Sequence, residues 1–152
     1  MLIRGYSLKE ETVKEIGRFA ILWNCFERDY CANNCSMAKI VDAVQNIQIP
    51  YEKQCEFAKE LNKRRGLFDQ IIPDYVENSL HPANANKSAP TYINIMEDFM
   101  KQEYGDIKDG CLLIIYRLRS NLMHGLKMVT DLDCQIDLFI AANEVLESIE
   151  RI

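Results

Sequence analysis

Between Tyr116 and Gly125 the chain reads Y-R-L-R-S-N-L-M-H-G, placing two arginines, a serine, an asparagine and one of only two histidines together. Arginine is a permanent cation whose planar fork matches phosphate. Histidine takes up and releases protons near neutral pH. Side by side, the two could hold a phosphate ester, stabilise charge building on it and move the protons its cleavage requires. The candidate catalytic residues are therefore Arg119, His124 and Asn121, with Arg117, Ser120 and Lys127 as candidate substrate contacts. The other histidine, His81, stands beside Pro82 in H-P-A-N-A-N-K-S-A, a segment without periodicity that reads as an exposed loop, so it is a solvated bystander.

These residues must be carried by a helix. The preceding run, Asp109 to Ile115, is D-G-C-L-L-I-I, apolar enough for a helix buried on most of its faces. Charge delivered by such a helix has to emerge at a solvated cleft or a partner surface, because unpaired buried charge is very costly. At about 100° per residue, Arg117, Asn121 and His124 fall on one stripe, whereas Arg119 and His124 lie roughly 140° apart. For Arg119 and His124 to act together, either the helix breaks near Asn121 or the two come from different copies of the chain across a two-fold axis. The motif also has a plainer explanation: a histidine in the last turn before glycine is how an ordinary helix ends, with Gly125 as a left-handed cap.

The segment Arg119-Ser-Asn-Leu-Met-His124-Gly125 resembles the signature of the HEPN superfamily, in which an arginine is followed after four to six residues by a histidine. The R-x-N-L-x-H-G form is similar to that of defence-associated members, although Ser120 stands where many carry Asn, Asp or His. The resemblance implies an all-α helical bundle and a metal-independent endoribonuclease working on RNA as a homodimer, with Arg and His of both copies lining one cleft. It also implies a place in phage defence or a toxin-antitoxin-like system, with an antitoxin or nucleotidyltransferase partner on a separate chain. The alternative is a non-catalytic interaction or RNA- or nucleotide-binding module of such a complex.

At 152 residues the chain has the length of one domain, 1–152, and can bury a genuine core. A hydrophobic share of 48% and a charged share of 27% are those of a folded globule. The net charge of −5 and pI near 5.1 argue against coating nucleic acid through global attraction. RNA contact would need a local basic patch, either Lys63-Arg64-Arg65 or Arg117, Arg119 and Lys127. The first of these is equally explained as cations closing a helix before Gly66.

Six cysteines without a recognisable secretory leader in M-L-I-R-G-Y-S-L-K-E-E point to a reducing cytoplasm and free thiols packed as small hydrophobes. Cys31 and Cys35 are the one close pair, and no second pair or His cluster completes a zinc site, so neither metal nor cofactor is expected.

In chain order, Ser7 with Glu10 reads as a capping box opening a first helix that reaches about Tyr30. Its apolar stripe is Val13, Ile16, Ala20 and Trp23, flanked by Phe19, Leu22 and Phe26, with Trp23 and Tyr30 read as core rather than as a base-stacking platform. A short helix from Ser36 or Asn34 stops before Pro50, and a third spans Tyr51 to Arg65. Leu67 to Leu80 is a further apolar stretch. Pro90 opens a helix to about Tyr104, closed by Gly105, before the central one. The last runs from Asp131 to Ile152 with an apolar face wider than one neighbour needs, the excess facing either the interior or a second copy. No strand-length alternation, no phosphate loop and no apolar span of membrane length appears. The fold class is thus all-α, a helical bundle of about five to seven helices.

Overall fold

The computed structural model describes residues 1–64, 89–102, 105–123 and 129–152. Their helices are α1 (Glu10–Tyr30), α2 (Met37–Ala43), α3 (Tyr51–Lys63), α4 (Ala89–Lys101), α5 (Lys108–Met123) and α6 (Ile136–Ser148). Two short antiparallel ribbons accompany them: β1 (Leu2–Ile3) with β2 (Tyr6–Ser7), and β3 (Ile47–Gln48) with β4 (Glu150–Arg151). The all-α bundle expected from the sequence is what the chain forms. The apolar stretch from Leu67 to Leu80, Arg65, Gly66 and the loop up to residue 88 lie outside the described residues.

Helix α5 is the axis of the bundle, packed against α2, α3 and α4. Its segment Cys111 to Ile115, with Leu118, has no exposed surface. Removing each such Leu or Ile side chain from water stabilises the fold by about 1.5–3 kcal/mol, which is why this run is helical and interior. Gln54 of α3, itself fully buried, anchors the entrance: the Ile107 N–H donates to its Oε1 at 3.2 Å, while its amide donates to Ile49 O at 3.1 Å and to the Asp106 carboxylate. Lys108 Nζ donates to Ile47 O at 2.7 Å, tying the first turn of α5 to β3. Pro90 occupies the first turn of α4, where its missing N–H costs nothing.

Helix α6 rests on both α1 and α3, so its wide apolar face is covered within the chain. Leu138, Phe139, Ala142 and Val145 are fully enclosed, and Phe139 meets Phe19 edge-on with centroids 5.4 Å apart. The face therefore leaves little excess for a second copy. The helix is also shorter than expected from Asp131 to Ile152. Two 3₁₀ turns, Val129–Asp131 and Asp133–Gln135, precede it. At its other end Ile149 turns extended (φ −65°, ψ 129°). Residues 150–152 exchange another helical turn for pairing with β3, Ile152 N–H reaching Asn46 O at 3.0 Å. Arg151 lies over the Tyr30 ring at 5.2 Å and donates to Asp29 O, fastening this ribbon to the end of α1.

Two expectations for α1 are corrected. Ser7 is not its N-cap, because Ser7 pairs with Leu2 in the N-terminal ribbon, whose tight turn is made by Arg4 and Gly5 at φ 48° and 86°. The residue before the helix is Lys9, with no side-chain cap of its own; its N–H donates to Asp133 Oδ1 at 3.0 Å instead. The buried stripe is also rotated: Thr12, Glu15, Phe19, Trp23 and Phe26 face inward, Val13, Ile16 and Leu22 flank them, and Ala20 is exposed. The aromatic side chains carry more apolar area than Val, Ile and Ala, so they set the rotation. Glu15 is accommodated on that face because Asn143 of α6 donates to both its backbone O (3.0 Å) and Oε2 (2.9 Å).

The free-thiol expectation fails at one place. Cys31 and Cys35 form a disulfide closing the turn between α1 and α2, in which Ala32 and Asn33 adopt φ 51° and 68°. Both cysteines are buried. Ser36 then caps α2, accepting from Lys39 N at 3.2 Å. The remaining cysteines are free, and burial, reinforced by Asp106, pushes the Cys111 thiol well up, so it stays protonated as a small hydrophobe.

Candidate functional site

The second half of α5 shows no break at Asn121, and its described part ends at Met123. His124, Gly125 and Lys127 themselves lie outside the described residues.

The four other candidates separate by face. Arg117 and Asn121, one turn apart, are 5% and 3% exposed, and Arg117 Nη2 donates to Asn121 Oδ1 at 3.2 Å. This is the stripe that the helical period places together. Burying a guanidinium demands polar company, and Asn121 supplies part of it. Ser120 is likewise buried, at 6%. Arg119 points elsewhere. Its side chain is 32% exposed and turns toward α1, where Nη2 comes within 3.9 Å of Glu27 Oε1.

Glu27 was not visible as a site residue in the sequence, since an acidic residue near the end of a long helix reads as solvated surface. The structure holds it in place: Trp23 Nε1–H donates to the same Oε1 at 2.6 Å. Trp23 is in turn wedged against Phe26 and against Tyr116 of α5, with centroids 5.2 and 5.8 Å away. Trp23 is therefore core, as expected, yet its indole edge fixes the carboxylate that faces Arg119. Around this relay α1 and α5 leave a pocket of about 190 Å³, with Phe19, Trp23 and Leu122 as apolar wall and Asn24, Glu27 and Arg119 as polar rim.

Of the other expected basic patch, Lys63 and Arg64 are already paired, while Arg65 lies outside the described residues. Lys63 Nζ and Arg64 Nη1 both reach the Glu60 carboxylate, at 3.0 and 2.8 Å, and Arg64 Nη2 donates to Cys134 O. Burial pushes the Glu60 carboxyl up, but the bonds from Arg64 and Lys63 outweigh it and hold the group below its ordinary range. Arg18 of α1 is likewise engaged with Glu15, Glu144 and Glu147. Among the described residues, Arg119 combines a loose ion pair with a place at the pocket between α1 and α5.

Among the described residues no three His, Cys, Asp or Glu side chains come together as a metal-binding group, and no helix is long and apolar enough to cross a membrane. No protein-family model, no curated protein and no solved structure matches the chain.

Proposed function

We propose that the chain is a metal-independent endoribonuclease that works as a homodimer, with Arg119 and His124 of two copies forming a composite site. The observation that carries this is the separation of Arg119 from the rest of the motif. It stands partly exposed at a pocket while Arg117, Ser120 and Asn121 are buried beside it on an unbroken helix. Were the helix to continue straight through His124, Arg119 and His124 would lie roughly 140° apart, and a second copy would bring them to a shared phosphate.

In this chemistry His124 acts as acid and base. The ribose 2′-oxygen loses its proton to an imidazole and attacks phosphorus, and the 5′-oxygen leaves with a proton returned by an imidazole. The products are a 2′,3′-cyclic phosphate and a 5′-hydroxyl. Arg119 contributes a charged fork to the non-bridging oxygens as the pentacoordinate state forms. Asn121, through its bond to Arg117, stiffens the turn just before His124 and so acts as a positioning residue. Lys127 would add charge along the RNA backbone. Phage defence or a toxin-antitoxin setting, with an antitoxin or nucleotidyltransferase as partner, follows from the motif's resemblance alone.

The test is cleavage of RNA by the wild type, Arg119→Ala and His124→Ala while protein concentration is varied through the dimer dissociation range. Both variants lose cleavage, and wild-type activity per chain falls on dilution. Activity that survives in His124→Ala, or that is independent of concentration in a monomer, overturns the proposal. A second reading, an RNA- or nucleotide-binding module without turnover, is favoured by one feature: Glu27 partly neutralises Arg119. In that case Arg119→Ala weakens RNA binding and no preparation cleaves.

A further inference from the structure

We infer that the pocket between α1 and α5 receives a single unpaired nucleobase bearing an exocyclic amine, with its phosphate on Arg119. This rests on the ribonuclease reading for its place beside a scissile phosphate, but the binding itself does not need cleavage. Ligand clefts for drug-sized molecules run to roughly 300–1,000 Å³; about 190 Å³ is room for one heterocycle and not for a base pair. Leu122 and the edges of the nearly buried Phe19 and Trp23 give the pocket an apolar wall against which a base that has left its strand can sit edge-on.

The rim supplies selectivity. Both contacts that the described residues make to Glu27 use Oε1, leaving Oε2 as an acceptor without a donor. Its side chain is 16% exposed, so the carboxylate is held at the pocket instead of being free to turn away. Carboxylates accept from amino groups such as cytosine N4. Adenine, cytosine and guanine each present such an amine, whereas uracil has none and flanks its single N3–H with two carbonyl oxygens that a carboxylate repels. Asn24 offers both a donor and an acceptor for the remaining base edge. Arg119 keeps further N–H donors beyond its 3.9 Å approach to Glu27, enough to take a phosphate at the mouth.

Trp23 is the one tryptophan in the sequence, so its indole N–H gives a single signal, and that N–H is bonded to the carboxylate in question. The experiment is a titration of the full-length protein with AMP, CMP, UMP and adenosine, followed by ¹H–¹⁵N spectra of the Trp23 indole and by Trp23 emission. AMP and CMP should shift the indole signal saturably, and UMP should bind roughly tenfold more weakly or worse. Adenosine should bind more weakly than AMP, and Arg119→Ala should bring AMP down to the adenosine value. Glu27→Gln, whose amide both donates and accepts, should narrow the preference over UMP. Ala20→Phe, placed at the exposed edge of the pocket, should block binding. An indole signal unmoved by every nucleotide overturns the inference, as does UMP binding as well as AMP or Ala20→Phe binding unchanged. AMP binding by the wild type without any cleavage of RNA would sink the nuclease reading and leave the base site standing. Cleavage without nucleotide binding would do the reverse.

Discussion

Replacing Gly110 with alanine should loosen the bundle at the helix that carries Arg119. Gly110 lies in the first turn of α5, where a Cβ would sit 2.6 Å from Ile95 O, 2.6 Å from Phe99 Cβ and 3.2 Å from Ile107 Cγ2. Two opposing effects compete. Alanine is the better helix former by about 0.8–1.0 kcal/mol. Against that, overpacking a filled interior costs typically about 1–3 kcal/mol, and more where the obstructing atoms cannot turn aside. Here one obstacle is backbone and another is the first carbon of a fully buried phenylalanine, so neither moves without shifting α4. The clash wins, leaving a net loss of about 1–2 kcal/mol, or roughly 2–8 °C in Tm for a domain of this size. Urea unfolding of wild type and Gly110→Ala with a common m-value measures it. An alanine variant as stable as wild type, or more so, would refute the tight approach of α4 and α5.

Three further outcomes follow from particular contacts. Asn121→Leu removes one acceptor from a buried guanidinium, and should cost about 1.5–3 kcal/mol in urea unfolding; a neutral result would show that Arg117 does not depend on it. Since the Glu60 carboxyl is held below its ordinary range in the folded state, the stability it contributes is present above the unfolded carboxylate value and is lost as pH falls through the lowered one. The Tm difference between wild type and Arg64→Gln should thus shrink toward zero in acid, and a difference unchanged by pH 2–3 would contradict that assignment. Reducing Cys31–Cys35 should lower stability by about 2 kcal/mol on the chain-entropy view of so short a loop, and the Cys31→Ser, Cys35→Ser double variant should be insensitive to reductant; a wild type indifferent to reductant would rule out the bond in solution.

Much of the architecture could be read from local chemistry. The run Cys111 to Ile115 is buried as its composition requires, Pro90 sits in a first turn, and Ser36 caps α2. What escaped was set by partners far along the chain. Ser7 has the spacing of a cap but is drawn into a hairpin, while the acceptor near the start of α1 is Asp133, 124 residues away. The last helix stops early because Ile47 and Gln48 offer its final residues a ladder. The period of α1 was right but its rotation was not: Phe19 and Ala20 lie about 100° apart at opposite edges of the apolar stripe, and packing against α6 decides which of them faces inward. In the candidate site, the pairing of Arg117 with Asn121 was legible from helical spacing. Glu27 was not, because its meaning comes from Trp23 on its own helix and Arg119 on another.

The central claim is tested most directly by the ends that cleavage leaves. RNA incubated with purified protein in the presence of a chelator, alongside the His124→Ala variant, should be cut by the wild type only, giving 2′,3′-cyclic phosphate and 5′-hydroxyl termini. Termini bearing 3′-hydroxyl and 5′-phosphate, or equal cleavage by His124→Ala, would contradict an Arg119 and His124 site that works by attack of the ribose on its own phosphate.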